Sequence, residues 1–179
     1  MSTTQLARLP RALALALRPL PLAPLSLALS QLAQRMVNAH PGLMRRMGEH
    51  APARFLLDPT DLPFTLEVCV DGASVRAHRR AAPPEYDARI AGPLSAFLAM
   101  MHGAEDGDAL FFSRDLVIEG DTGAVLALRN AIDDSELDLT EEIAAIGGPA
   151  GGILRRALQR AEARTGLSLH RIDPFGANI

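Results

Sequence analysis

The feature of this sequence that most limits its possible folds is a pair of alternating segments joined by Asp71 and Gly72. Residues 62–72 alternate between apolar and polar side chains, and residues 73–80 do the same. Alternation with a period of two is typical of strands with one buried face. An Asp-Gly pair between two such strands is a strong hairpin signal. We therefore predict an antiparallel hairpin with one apolar face.

The rest of the central region predicts further strands and helices. Short apolar or alternating runs predict strands, and apolar residues at helical spacing predict helices. By these criteria strands are predicted over 53–59, 86–92 and 115–119, and helices over 93–103, 122–133 and 153–166. The predicted order through residue 133 is four strands, a helix, a strand and a helix.

Glu119, Gly120 and Asp121 lie where the apolar pattern changes from strand to helix. Three interpretations are open: a catalytic carboxylate pair, a phosphate-binding turn, or a simple strand-to-helix connection. Asp121 is a good N-cap for the next helix, and its side chain would occupy the N–H groups that an anion needs. Glu119 is expected on the outer strand face. The structural connection is therefore favoured.

Charge is distributed unevenly along the chain. All 18 basic residues are arginines, and six of them precede Glu49, the first acidic residue. The remainder carries a net charge of −9, which argues against nucleic acid as a partner. With one cysteine, Cys69, the chain cannot form an internal disulfide. No Cys/His spacing predicts a metal site, and no cofactor is expected.

The first 50 residues are basic and rich in leucine and alanine. Prolines and arginines interrupt them, so no window predicts a transmembrane helix. A secretory signal fits better than a transmembrane helix, but Arg18 and three prolines fall where its apolar region should be continuous. Two alternatives remain: helices packed on the domain, or an arm on a membrane surface. For the second, the expected membrane-contacting residues are Arg8, Arg11, Leu13, Leu17 and Arg18.

Catalytic residues are not evident. The five histidines are dispersed, and no serine lies in a G-x-S-x-G motif. Cys69 lacks a recognisable base and is more consistent with a small packing residue. We predict a protein that is not an enzyme.

The segment FFSRDLVIEGDTGAVLALRNAID (111–133), together with the preceding strands, resembles the sterol carrier protein type two domain. The stretch DALFFSRDLVIEGDTG (108–123) also resembles the family of the bacterial ubiquinone biosynthesis accessory factor UbiT. The resemblance covers roughly residues 50–135. It implies an α+β fold: a mixed sheet of about five strands, covered by helices around an apolar lipid tunnel. The expected division is a helical arm (1–50), the lipid-binding domain (51–135), and an acidic link with a C-terminal helix (136–179).

The same resemblance implies a function. It predicts a non-catalytic lipid-binding accessory factor in oxygen-independent ubiquinone biosynthesis, which presents polyprenylated quinone precursors or membrane lipids to enzymes. Expected partners are the membrane surface and proteins of the UbiU and UbiV type, and the expected location is cytoplasmic with peripheral membrane association. The alternatives are a general fatty acyl or phospholipid carrier, or less readily an enzyme or a scaffold subunit.

Strand alternation and helix spacing direct one set of apolar side chains to a common side, where they are expected to line the tunnel. This set is Phe64, Leu66, Val68, Ile90, Phe97, Met100, Met101, Phe111, Leu116, Ile118 and Leu128.

Overall fold

The computed structural model describes residues 15, 17–19, 21–97 and 116–135. The helices are α1 (Leu22–Ala39), α2 (Gly42–Met47) and α3 (Thr122–Ser135), and a 3-10 turn (Gly48–His50) follows α2. The strands are β1 (Arg54–Pro59), β2 (Phe64–Cys69), β3 (Ser74–Arg79), β4 (Ala88–Gly92) and β5 (Val117–Gly120). Residues 94–97 are helical. The predicted helix over 153–166 and the C-terminal segment 136–179 lie outside the described residues.

The strands form one five-stranded sheet in the order β3-β2-β1-β4-β5. β1 and β4 are parallel, and the other neighbouring pairs are antiparallel. The sheet is therefore mixed, and together with the helices it confirms the predicted α+β class. Each predicted strand is present, with boundaries within a few residues of those expected.

The β2–β3 hairpin is present, but its loop is longer than the predicted Asp71-Gly72 turn. Cys69 pairs with Ser74, so four residues (70–73) connect the strands. The Ala73 N–H donates to the Val70 carbonyl at 3.0 Å. The left-handed conformation falls on Ala73, with φ of 41°, and not on Gly72. The extra residues allow Val70 to turn into the core, where it is buried.

The main core lies between the sheet and helices α2 and α3. Leu43 and Met47 of α2 and Val125 of α3 pack with Phe55 and Ile90 of the sheet. Burying a large apolar side chain contributes about 1.5–3 kcal/mol, so α2 is an integral part of the fold. The sequence left open whether the N-terminal region packs on the domain, and residues 42–47 do. A deletion of residues 1–48 would remove Leu43 and Met47 and is not expected to leave the rest folded.

Helix α1 runs along the outer edge of β3. The Ser30 hydroxyl accepts a hydrogen bond from the Val75 N–H at 3.0 Å and donates to the Val75 carbonyl at 2.9 Å. One turn earlier, Ser26 accepts from the Ala77 N–H at 2.9 Å and donates to its own helix at Leu22. The two serines satisfy groups of an edge strand that would otherwise be open to pairing with another chain.

No helix within the described segments is long and apolar enough to cross a membrane.

Candidate functional site

The pairing register places the apolar strand residues predicted from the sequence on one face of the sheet. Leu66 pairs with Leu57, and Val68 pairs with Phe55. Leu57 also pairs with Ile90, which in turn pairs with Ile118. Since directly paired residues share a face, these side chains form a continuous apolar surface. We call it the inner face, defined by Phe55, Leu57, Phe64, Leu66, Val68, Ile90 and Ile118.

Burial of the inner face is uneven. Phe55 and Ile90 are 0% and 1% exposed beneath the packed helices. Four aliphatic residues of the inner face, by contrast, are only half-buried: Leu57, Leu66, Val68 and Ile118. Of these, Leu57, Val68 and Ile118 pack against the core cluster. We call these four residues the apolar strip. A half-buried aliphatic surface without polar atoms attracts hydrocarbon through the hydrophobic effect and dispersion.

The other predicted tunnel residues have different positions. Phe97, Leu116 and Leu128 are buried in the core cluster. Met100, Met101 and Phe111 lie outside the described residues, as do Arg8, Arg11 and Leu13 of the predicted membrane-contacting set. The lipid contact of all these residues remains a prediction.

Clefts with mixed polar and apolar linings are formed by the helices of the described part of the chain. The first has a volume of about 660 Å³ and lies where the turn between α1 and α2 meets the end of α3. The second, of about 540 Å³, lies along the exposed side of α1 and shares Ala39 with the first. The described residues lining them include none of the predicted tunnel residues.

The opposite face of the sheet carries a network of ion pairs. Asp58 is 4% exposed and lies between two arginines: Arg89, at 2.6 Å, and Arg80. Arg89 also pairs with Glu119 at 2.7 Å. The hydrogen bond to Asp58, and to a smaller extent the one to Glu119, raises the pKa of Arg89 above its usual value. These charge-assisted contacts link β1, β4, β5 and the residue that follows β3, so we interpret the network as structural.

Glu119 therefore faces away from the inner face, as the alternation predicted. The sequence did not identify Arg80 and Arg89 as the partners of Asp58, or Arg89 as the partner of Glu119. These residues come from separate segments, and only the pairing of the strands brings them together.

The strand-to-helix connection also has the predicted structure. The Asp121 carboxylate accepts a hydrogen bond from the Ala124 N–H at 3.0 Å and caps α3. The Asp121 N–H donates to the Asp87 carbonyl at 2.9 Å, which fixes the turn to the start of β4. The Asp121 side chain is thus occupied by an N-cap interaction.

Cys69 lies on the outer side of β2, and its thiol donates a hydrogen bond to Asp71 at 3.0 Å. Partial burial and this hydrogen bond raise the pKa of Cys69. A raised pKa lowers the thiolate fraction and the nucleophilicity of the residue. In the described segments no group of three or more His, Cys, Asp or Glu side chains could hold a metal ion.

Two features were missed by the sequence interpretation. Ser26 and Ser30 are a turn apart on α1, and this spacing of about 6 Å matches the distance of about 6.6 Å between alternate residues of an edge strand. Arg45 and Arg46 border the first cleft. Their i, i+1 spacing gave no signal, because the cleft is formed by three separate segments.

The geometry defines an α+β protein with a mixed five-stranded sheet and one apolar, helix-covered face. The model of the SCP-2 sterol transfer family matches residues 29–133, more than half of the chain, and the chain belongs to that family. No curated protein sequence matches the chain.

Three solved structures are similar to this chain at low sequence identity, and the first of them has the same fold. A protein described as "UbiJ-SCP2 Ubiquinone synthesis protein" superposes with a TM-score of 0.53 and 16% identity, over 65% of this chain and 96% of its own. Sterol carrier protein 2 from Yarrowia lipolytica, in its apo form, gives a TM-score of 0.43 at 11% identity, covering 60% of this chain and 88% of its own. Sterol carrier protein domain 2 of Helicoverpa armigera gives 0.43 at 13% identity, covering 60% and 84%.

Proposed function

We propose that this protein is a non-catalytic lipid carrier that acts as an accessory factor in ubiquinone biosynthesis. Membership of the SCP-2 sterol transfer family supports lipid transfer as the general role. The observation that carries the proposal is the continuous apolar inner face with its half-buried strip, Leu57, Leu66, Val68 and Ile118. The four strip residues are all aliphatic and offer a binding surface for hydrocarbon.

The energetics favour a carrier for very apolar intermediates. Exposing a polyprenyl tail to water costs about 0.8 kcal/mol for each CH₂ equivalent. An intermediate with several isoprene units therefore stays in the bilayer unless an apolar surface covers it. Packing of the tail against the apolar strip removes part of its surface from water and so recovers part of this free energy.

Two observations support ubiquinone synthesis as the pathway. The stretch DALFFSRDLVIEGDTG (108–123) resembles the UbiT family, and one structural neighbour is described as a ubiquinone synthesis protein. On this proposal the cargo is a polyprenylated quinone precursor. The partners would be proteins of the UbiU and UbiV type, which are thought to carry the hydroxylation chemistry.

We further propose peripheral membrane association on the cytoplasmic side. The chain has six arginines and no acid before Glu49, and each arginine near an anionic surface contributes roughly 1 kcal/mol. Arg18 is exposed and Leu17 is half-buried. These two belong to the predicted membrane-contacting residues, and the other three, Arg8, Arg11 and Leu13, lie outside the described residues.

A general fatty acyl or phospholipid carrier is the second candidate. The absence of polar side chains among the four strip residues favours it, because an aliphatic surface discriminates poorly between hydrocarbon ligands.

The two candidates are distinguished by the lipids that copurify with the full-length protein. The protein would be purified from cells grown without oxygen, and bound lipids would be extracted and identified by mass spectrometry. We expect polyprenylated quinone precursors to be enriched over their fraction in the membrane. Enrichment of phospholipids or fatty acids alone would support the general carrier, and a protein without lipid would contradict both.

A further inference from the structure

The two edges of the sheet differ in how they are covered. At one edge, Ser26 and Ser30 of α1 bond to the backbone of β3. At the other edge lies β5, which within the described part of the chain pairs with β4 alone. We call the side of β5 (Val117–Gly120) that faces away from β4 the open edge. Such an edge can bind an extended segment of another chain through backbone hydrogen bonds.

The pairing of β5 with β4 determines which backbone groups the open edge offers. Gly120 lies opposite Ala88. The Asp121 N–H donates to the Asp87 carbonyl at 2.9 Å, and in an antiparallel pair this bond between flanking residues marks Gly120 and Ala88 as a pair without hydrogen bonds of its own. Bonded and non-bonded pairs alternate along the strands. The N–H and C=O of Ile118 and the N–H of Gly120 therefore point to the open edge.

The charges near the open edge are mostly negative. Segments 85–89 and 117–121 carry four acids, and the arginines that pair with them in the described structure are Arg54 and Arg89. The side chain of Glu119 remains exposed, although Arg89 bonds to one of its carboxylate oxygens. Four carboxylates and two guanidinium groups leave this side of the sheet with an excess of negative charge, which attracts positively charged partners.

These acids distinguish between the segments that could pair with β5. If a second copy of the chain paired there, β5 against β5, the acids of both copies would approach each other, and like charges across an interface oppose binding. A segment with basic residues would instead place them beside Glu119. On the other face of the sheet, the same segment would place its alternate side chains beside Ile118, at the end of the apolar strip.

We propose that the open edge of β5 binds a short extended segment of a partner protein, in which apolar and basic residues alternate. Ile118 exchanges backbone hydrogen bonds with this segment, and Glu119 bonds to a basic side chain. The apolar residues of the segment extend the inner face toward the partner, a consequence that rests on the lipid-binding role proposed above, whereas the docking itself does not. β5 has four residues, so few hydrogen bonds form and the complex is weak and reversible.

The test uses the full-length protein and a synthetic peptide, acetyl-Thr-Val-Arg-Val-Arg-Thr-amide. Binding would be followed by amide chemical shifts in NMR, which detect weak complexes. We expect shifts in residues 117–120. Val117 is exposed on the same face as Glu119, and Val117→Lys should weaken binding about tenfold, because a lysine there repels the arginines of the peptide.

The matched control is Leu27→Lys. Leu27 is an exposed leucine on α1, the helix that covers the opposite edge of the sheet, and the substitution adds the same charge. It should leave the affinity for the peptide unchanged. Equal weakening by Val117→Lys and Leu27→Lys would show a nonspecific effect of charge and overturn the proposal, as would no effect of Val117→Lys.

Two further peptides test the mode of binding. In the first, methyl groups on the two valine nitrogens remove the N–H groups that donate to the Ile118 carbonyl, and we expect about tenfold weaker binding. In the second, glutamates replace the arginines, and binding should also weaken because of repulsion by the acids near β5. An unchanged affinity of the methylated peptide would overturn strand pairing, and an unchanged affinity of the acidic peptide would overturn recognition by charge.

Sedimentation velocity tests the second copy as the alternative occupant. We expect Val117→Lys to leave the association state of the protein unchanged. A dimer that Val117→Lys dissociates and Leu27→Lys does not would show that the open edge binds a second copy, and would overturn the proposal. None of these measurements requires bound lipid, so they and the copurification test of the carrier function can fail independently.

Discussion

Gly120 occupies a position where the backbone leaves no room for a side chain. Its φ is +83°, a left-handed conformation that other residues rarely adopt. A Cβ at this position would overlap the carbonyl oxygen of Asp87 and lie 3.2 Å from the Cα of Ala88. The close approach allows β5 to pair with β4 and then turn immediately into α3.

Gly120→Ala should therefore destabilise the protein by about 2–4 kcal/mol, from backbone strain and steric overlap together. The measurement is the free energy of unfolding by chemical denaturation. Gly72→Ala is the matched control, since a Cβ there meets nothing closer than 3.6 Å and its φ is not positive. Equal stability of the two variants would contradict the assigned geometry of the turn.

Asp121, the next residue, stabilises the helix that follows. Asp121→Ala should lower the free energy of unfolding by about 1 kcal/mol, because the N-cap hydrogen bond to Ala124 is lost. Asp121→Asn, which keeps an oxygen acceptor, should lose less. A stable Asp121→Ala protein that had lost all function would instead indicate a chemical role for this carboxylate.

At this scale the sequence predicted some residues and not others. Asp121 was predicted because an N-cap depends on local chain direction alone. The left-handed residue of the hairpin was not, because the register of β2 with β3 places it at Ala73 and not at Gly72. Asp58 lies within the strand predicted over 53–59, but its ion pairs with Arg80 and Arg89 join it to other segments and could not be predicted from local sequence.

Among the elements, α1 has a role that its composition conceals. The helix has no fully buried residue, yet two of its serines bond to the backbone of β3. These contacts make α1 a cover for a sheet edge. The basic, leucine-rich composition indicated either a packed helix or a membrane arm, and the hydrogen bonds show that residues 22–39 pack on the sheet.

Replacing Ser26 and Ser30 together by alanine should reduce stability by about 2 kcal/mol, because two partly buried strand N–H groups lose their acceptors. It should also increase aggregation through the uncovered edge. Denaturation and light scattering would measure the two effects. The control is Gln31→Ala with Gln34→Ala on the exposed side of α1. If both double variants behaved alike, the serines would have no special role in covering the edge.

For the whole molecule, alternation and helical spacing predicted the class of fold because each strand has one apolar side. The mixed sheet and the helical cover came from the resemblance to the sterol carrier domain. What the sequence could not predict was the degree of burial along the inner face. That depends on where α2 and α3 pack, and they bury Phe55 and Ile90 while leaving Leu66 and Ile118 half-buried. The first cleft, bordered by Arg45 and Arg46, could not be predicted from the sequence either, since it forms only where separate segments meet.

The central claim is that hydrocarbon binds to the inner face. Adjacent residues of β5 provide a direct test: Ile118 belongs to the apolar strip, while Val117 is on the other side of the sheet and 53% exposed. The measurement is the affinity of the full-length protein for a polyprenylated quinone precursor, for Ile118→Thr and Val117→Thr proteins shown to be equally folded. We expect Ile118→Thr to bind about tenfold more weakly, because a hydroxyl without a partner is placed against hydrocarbon. Val117→Thr should bind as the unmodified protein does, and equal affinities for the two variants would contradict the inner face as the lipid-binding surface.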